Sequence, residues 1–307
     1  MKNKEKNVIN KARKMLQDKQ IIENPDMSMY SSFKAGGRAS ILVLPESVGE
    51  LIKLREICYE DDFPYFLMGN GTNILVRDEG YEGLVIKLGT NFEKSYVDGD
   101  MIHAQAGALL SKVSRQAAVA NLTGLEFASG IPGSIGGGIY MNAGAYDGEI
   151  KDIIVSTRCI DKNGKILHLS KEDMNFAYRS SVFWEKDYII LEGSFQLEAG
   201  DEEEILFRMK ELNRRRNEKQ PVNLPSAGST FKRPEGSFAG KLVEEAGLKG
   251  YIHGGASVSK LHAGFIVNEK QATATDIIEL IDIVRERVFH QSGIMLEPEI
   301  RILGGAL

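Results

Sequence analysis

Two short stretches of this chain are almost bare of side chains, and bare backbone is suited to one kind of chemistry. They are "GNGTN" (69–73) and "GIPGSIGG" (130–137), the second lying inside a 26-residue run, 124–149, that holds eight glycines. N–H groups with no Cβ beside them can converge on phosphate oxygens or lie against a flat ring. Two loops of this kind suit a diphosphate held between them. The residues that would supply the contacts are Gly69, Asn70, Gly71, Thr72, Asn73 and Ile74 in the first stretch, and Gly130, Ile131, Pro132, Gly133, Ser134, Gly136 and Gly137 in the second, with Asn142 and Gly144 following. Taken alone, an Asn-Gly turn between two strands is more often a plain hairpin. The second loop is harder to dismiss, because it carries apolar Ile131 and Ile135 and does not have the composition of a flexible linker.

The two common phosphate-binding fingerprints do not fit. In "GNGTNI" the third glycine of a dinucleotide motif would fall at Ile74, and "GSIGGG" (133–138) has the wrong first spacing. "GSFAGKL" (236–242) is one residue short of a P-loop and has Leu242 where a Ser or Thr should hold a metal. Neither a Rossmann nor a P-loop protein is indicated.

A set of motifs in a fixed order is more specific. "FKAGGRA" (33–39), "MGNGTNILV" (68–76), "ASGIPGSIGGGIYMNAGAYDGE" (128–149), "YRSS" (178–181), "PSAGSTFKRP" (225–234) and "LEPEIR" (296–301) resemble the ordered motifs of the UDP-N-acetylenolpyruvylglucosamine reductase family, also called UDP-N-acetylmuramate dehydrogenases. The similarity runs from about Tyr30 to Leu303. It implies an α+β protein: a two-subdomain FAD-binding fold of the vanillyl-alcohol-oxidase type plus an α/β substrate-binding domain. The expected boundaries are 1–90 for the first FAD-binding subdomain, with 296–307 returning to it, 91–205 for the second, and 206–295 for the substrate-binding domain. FAD is implied as cofactor, NADPH as co-substrate and a UDP-sugar as substrate. Neither cysteine nor any histidine lies in the two glycine loops, so the flavin is expected to be noncovalent.

The reaction implied by the resemblance is reduction of the enolpyruvyl ether of UDP-N-acetylglucosamine to the lactyl ether of UDP-N-acetylmuramate, a step of peptidoglycan precursor synthesis. Negative charge then spreads from the substrate's C2 into its carboxylate. The site needs a fixed cation, a hydrogen-bonding acid and a proton donor. By resemblance these are Arg179 in "AYRSSVF", Glu299 in "LEPEIR" and Ser229 in "SAGSTF". Without the motifs, Arg179 reads as a surface arginine beside a strand and Ser229 as a turn residue. Glu297 would share a face with Glu299 on an unbroken strand, so spacing does not choose between them; motif order picks Glu299. Tyr178 and Lys232 are candidates for the substrate, and Arg301 for the flavin side. Some members carry an extra tyrosine-bearing loop over the sugar nucleotide. Between "YIILEGSFQLE" and the helical 201–220 this chain has no room for one, which indicates the shorter form. The rival readings are another FAD-dependent oxidase of the same fold and a non-catalytic flavin- or nucleotide-binding module.

The elements that must position these residues are legible in outline. "ILVLP" (41–45) reads as a strand and 47–60 as a helix capped by Ser47. "PYFLMGNGTNILV" reads as strand, turn and strand, and 83–88 as a further strand. After the glycine run come a hairpin through Asn163-Gly164 and the strand "YIILEGSFQLE". The stretch 201–220 reads as a helix, acidic first and basic last, ended by Pro221. A long helix starts at Thr273 or Thr275 and runs to His290, with Ile277, Ile278, Ile281, Ile283 and Val284 forming its buried stripe. "MLEPEIRIL" closes the chain as a strand.

Bulk properties agree with an ordinary globular protein. The chain has 307 residues, a net charge of −5, 42% hydrophobic and 26% charged residues. No domain-wide basic field attracts nucleic acid, and Arg214, Arg215 and Arg216 sit where cations favour a helix end. Cys58 and Cys159 lack a paired spacing, and the five histidines show no metal-binding spacing, so no disulfide framework and no metal are expected. The basic N-terminus lacks the apolar core of a secretory signal, and its Val8, Ala12, Leu16 spacing reads as a short amphipathic helix. No run is long enough to span a bilayer. A cytoplasmic monomer without nucleic-acid or membrane partners is expected.

Overall fold

The computed structural model describes residues 2–305; Met1 and the last two residues of the expected returning segment 296–307 lie outside the described residues. The chain divides into two compact units, one of residues 1–22, 41–70 and 83–215 and one of residues 23–40, 71–82 and 216–307.

In the first unit the helix Val48–Glu60 starts where Ser47 stops the chain, its hydroxyl accepting from the Glu50 N–H at 3.2 Å. Leu51, Leu54, Ile57 and Cys58 recur every three or four residues and are buried. The strand Tyr65–Met68 runs parallel to Tyr81–Lys87, in a sheet ordered Ile21–Glu23, Ala39–Val43, Tyr81–Lys87, Tyr65–Met68. A second, five-stranded sheet is antiparallel throughout. Its order is Ile166–Ser170, Ile154–Ile160, Ile189–Gln196, Met101–Gln105, Ser95–Asp98. The expected hairpin through Asn163-Gly164 is there, with Ile160 opposite Ile166 and Gly164 at φ +80°. One apolar core runs through the unit, from Val8, Ala12 and Leu16 to Phe195 and Leu197. Leu16 is buried although the first helix, Lys2–Arg13, ends before it.

The helix Glu202–Lys219 buries Ile205 and Met209 with Ala118. Arg214 and Arg215 both reach Glu211, at 2.8 and 2.9 Å, and Arg214 leads in holding that carboxyl down to about 2. The run of cations is therefore partly neutralised within its own helix. Only residues 197–201 separate this helix from the strand Ile189–Gln196, so no further loop intervenes.

The second unit has its own core, with Phe33, Leu75, Val243, Leu248, Val258 and Ile277 among its members. Its three-stranded antiparallel sheet is Ile252–His253, Ala256–Val258, Ile266–Asn268. The helix Ala274–Ser292 begins at Thr273 in a capping box with Asp276 and ends at Gly293, whose φ of +72° suits a residue without a Cβ. Its buried stripe is Ile277, Leu280, Ile281, Val284 and Val288; Ile278 and Ile283 flank it and are only partly covered, a departure from the expected stripe.

Pairing decides two further points. The strands expected on either side of "GNGTN" are there, but the plain-hairpin alternative fails, because Tyr65–Met68 pairs with Tyr81–Lys87 while Ile74–Val76 pairs in parallel with Arg301–Leu303. The closing strand begins only at Arg301, since Pro298 has no N–H to give a ladder and the chain before it pairs elsewhere.

Candidate active site

In the first unit the two glycine loops touch. Asn70 donates from Nδ2 to the Pro132 carbonyl at 3.1 Å, and a Cβ on Gly69 would stand 2.2 Å from Ser134 Oγ. Glycine at 69 is what permits that approach. The second loop is pinned from behind by Leu110 N–H to Gly133 O, Ile135 N–H to Ala108 O and Gly136 N–H to Ala106 O, at 2.8 to 3.0 Å. Among the described residues, the N–H groups of Asn70, Gly133 and Ser134 make no hydrogen bond, and Ser134 is buried at 3% exposure. A covered backbone donor is normally paired, so the buried Ser134 amide fits a bound acceptor such as a diphosphate, with the Gly133 amide beside it and the exposed Asn70 amide open to the same kind of partner.

Not every glycine in the run faces a ligand. A Cβ on Gly136 would meet Ala106 Cβ at 2.9 Å, one on Gly144 would meet Glu149 Cγ at 2.7 Å, and one on Gly148 would meet the Phe127 ring at 2.7 Å. The protein itself occupies the space those side chains would need. Gly137 differs, being exposed and meeting only Ser134 Oγ at 3.5 Å.

Arg179 lies in the same unit, on a tight turn and not beside a strand. Ala177 and Ser180 exchange both backbone hydrogen bonds across it, and Arg179 takes a left-handed φ of +53°. Such a conformation costs of order 1 kcal/mol or more for a residue with a Cβ and concentrates at functional positions. The guanidinium sits over the Tyr178 ring, 5.4 Å from its centroid, and reaches the Gly144 carbonyl at 3.4 Å. Tyr178 itself is 46% exposed. Asn142 is wholly buried at φ +44°. Its Nδ2 donates to Glu149 Oε2 and Ala177 O at 2.9 and 3.1 Å, and its Oδ1 accepts from Lys151 N–H at 3.0 Å. Its carboxamide is spent on the protein, holding the turn that carries Arg179. Ser181 Oγ and Trp184 Nε1 both donate to Tyr140 O, at 2.7 and 3.1 Å, and fix the far side of that turn. Glu149 and Ser181 lie inside the motifs 128–149 and 178–181 but were given no role from sequence, and Trp184 lies outside every motif.

In the second unit the segment Ser229–Lys232 lies antiparallel to Glu297–Glu299. Glu299 N–H donates to Thr230 O at 2.9 Å, Lys232 N–H to Glu297 O at 2.9 Å, and Phe231 bridges Pro298. Thr230, 0% exposed, is held on its other side: its N–H donates to Gly264 O at 2.8 Å, and its Oγ1 accepts from Ile266 N–H at 2.9 Å. Asn73 donates from Nδ2 to Glu299 O at 3.0 Å and accepts from Arg301 N–H at 3.0 Å. Ser229 and Glu299, far apart in the chain, thus sit on adjacent backbones. Ser229 Oγ donates to Phe231 O at 3.1 Å. Lys232 Nζ is 2.5 Å from Glu297 Oε1, and the Glu297 side chain is 67% exposed. The two glutamates, equivalent by spacing, are distinct here: Glu297 serves Lys232, while the backbone of Glu299 is clamped from two sides. Gly71, Thr72 and Ile74 belong to this unit, where Gly71 O accepts from Ser32 N–H at 3.0 Å and Ile74 O from Ser31 Oγ at 2.9 Å.

A bare-amide cradle on an α+β frame marks the class: an FAD-binding domain family matches residues 39–170, and the chain is an FAD-dependent oxidoreductase. Residues 220–303 match the C-terminal domain family of UDP-N-acetylenolpyruvoylglucosamine reductase. Proteins of that name are 47% identical over 290 residues in Clostridium botulinum, covering 94% of this chain and 95% of that one, and 48% identical over 297 residues in Caldanaerobacter subterraneus, covering 97% and 98%. The crystal structure of the reductase from Thermus caldophilus is similar at a TM-score of 0.80 and 36% identity, covering 92% of this chain and 98% of that one. The chain belongs to the UDP-N-acetylenolpyruvoylglucosamine reductase family.

Proposed function

We propose that this protein reduces UDP-N-acetylglucosamine enolpyruvate to UDP-N-acetylmuramate, with NADPH as reductant, and so supplies peptidoglycan synthesis. Family membership over nearly the whole chain carries the reading. FAD, when bound, would supply the two-electron hydride chemistry that couples NADPH to reduction of the enol ether. The amides of Asn70, Gly133 and Ser134 would hold its diphosphate, with Gly69 keeping the two turns in contact.

The chain's own residues then handle charge and protons. Arg179 grips the substrate carboxylate through two N–H groups of its planar fork, which lysine would do less well. Its left-handed turn and the Tyr178 ring beside it limit the directions the fork can take. Glu299 assists at the same carboxylate as negative charge enters it. Ser229 donates its hydroxyl proton to C2. A serine hydroxyl is a weak acid, so it gives up that proton only to a strongly basic carbon. The clamp on Thr230 and Glu299 fixes the backbones that present both groups, and fixed geometry is where such sites gain most of their rate.

We assign 1–90 with 296–307 and 91–205 to the flavin and 206–295 to the substrate; the family matches at 39–170 and 220–303 support an N-terminal flavin part and a C-terminal reductase part. No helix among the described residues is long and apolar enough to cross a membrane. A cytoplasmic monomer is the simplest form for such an enzyme; light scattering tests the monomer. The reaction itself is tested by an anaerobic spectrum: the yellow protein should bleach with NADPH and regain colour when the enolpyruvyl nucleotide is added. A protein that is colourless and indifferent to FAD would end the proposal.

A further inference from the structure

In the hairpin of Gly144–Ala145 and Gly148–Glu149, Glu149 stands opposite Gly144. Its side chain crosses that glycine: a Cβ on Gly144 would lie 2.7 Å from Glu149 Cγ, so the bare position at 144 is what leaves it room. Beyond Gly144 the carboxylate meets Asn142, Oε2 accepting from Asn142 Nδ2 at 2.9 Å and from Lys151 Nζ at 2.8 Å. Asn142 is wholly buried, and its carboxamide also bonds Ala177 O and the Lys151 N–H. These bonds fix which end of the amide faces which partner. Ala177 opens the turn that carries Arg179, exchanging both backbone bonds with Ser180. The φ of +53° at Arg179 is a conformation that persists only where neighbours over-determine it. The Gly144 carbonyl accepts from the guanidinium itself at 3.4 Å. Glu149 therefore touches both supports of Arg179: the carboxamide that holds its turn, and the glycine whose carbonyl meets its tip.

We propose that Glu149 is a positioning residue for Arg179, setting the direction of the guanidinium through the Asn142 carboxamide and the Gly144 backbone. A charged acceptor holds an amide more firmly than a neutral one, which suits a carboxylate to this place. The inference rests on the reading that Arg179 grips the substrate carboxylate. Its consequence is selective: loss of the Glu149 acceptor should cost the enolpyruvyl group its grip and leave the rest of the nucleotide alone.

The test compares the full-length, FAD-loaded, oxidised protein with Glu149→Met, which keeps the stem over Gly144 and loses the acceptor oxygens. By calorimetry, binding of the enolpyruvyl nucleotide should weaken about 10-fold, the scale of one hydrogen bond to a charged group. Binding of UDP-N-acetylglucosamine, which has no carboxylate, should be unchanged. Reoxidation of the reduced flavin by saturating enolpyruvyl nucleotide should slow by about 10²-fold, the loss expected when a reacting group is misplaced by about 1 Å, while bleaching by NADPH keeps its rate. Glu149→Gln, which retains an acceptor, should recover most of both losses. With Arg179→Ala already present, Glu149→Met should add no more than about a twofold change, because the two residues act as one unit. A loss as large in the Arg179→Ala background as in the parent, equal weakening toward both nucleotides, or parent-like behaviour of Glu149→Met would each overturn the proposal. Should Glu149→Met not fold, Glu149→Ala is scored in the same way, and failure of both to fold would make Glu149 a structural residue only. Failure of the underlying reading looks different: Arg179→Ala alone would then bind and reduce the enolpyruvyl nucleotide as the parent does.

Discussion

The glycine cradle of the first unit and the paired segments of the second solve opposite problems. Around Gly69 and Ser134 the chain removes side chains so that backbone can come close, and the working groups are amides. Around Thr230 and Glu299 backbone is joined to backbone, and the groups proposed to work there are the Ser229 hydroxyl and the Glu299 carboxyl. The first arrangement tolerates almost no added atom. The second should tolerate substitution of its side chains structurally and fail only in chemistry.

The sharpest way to break that contrast is Ser229→Ala. Removing one well-placed donor should lower substrate reduction by about 10²–10³, while bleaching by NADPH and the melting temperature stay as in the parent. A melting point several degrees lower would show that Ser229 is structural. Next in size is Gly136→Ala, whose Cβ would press on Ala106; overpacking of this kind costs about 1–3 kcal/mol, seen as a lower melting temperature with or without FAD. Gly137→Ala, with open space, should melt as the parent does and weaken only FAD binding. If the two variants behaved alike, the division between protein-facing and ligand-facing glycines would be wrong.

A smaller effect concerns Asp276, which accepts from Thr273 N–H at 2.9 Å and from Gly255 N–H at 3.1 Å. The bond from the Thr273 backbone leads in holding its carboxyl below the ordinary aspartate value of 3.8. A depressed folded pKa stabilises the fold above the unfolded value and ceases to do so as pH falls through the folded one. Asp276→Ala should therefore cost about 1 kcal/mol near neutral pH, with the gap from the parent closing in acid; melting curves between pH 7 and pH 3 would show it, and a gap that widened in acid would contradict the cap. Smallest of all is Glu297→Gln. Its exposed pair with Lys232 should be worth roughly 0–1 kcal/mol, and turnover should stay within a few-fold, whereas Glu299→Gln should impair turnover far more. Equal losses would remove the distinction between the two glutamates.

Much of the frame was legible because it is local. Ser47 with the apolar positions after it specifies the helix Val48–Glu60, and Thr273 with Asp276 specifies the start of Ala274–Ser292. Pairing was not legible. The Asn-Gly turn looked like a possible hairpin until its two strands took different partners, and "LEPEIR" looked like one strand until Pro298 withheld its N–H. The turn under Arg179 could not be read at all, because a left-handed arginine contradicts its own preference and is held there by Asn142, Ser181 and neighbours.

By itself the sequence determined the chemistry available: bare amides in two loops, and a guanidinium, a hydroxyl and a carboxyl in motifs of fixed order. Only the tertiary structure decided which glycines face protein and which face open space, and that Glu299, not Glu297, has its backbone locked to Asn73 and Thr230. Residue type and local spacing fix what a group can do, whereas its neighbours across the fold fix where it stands.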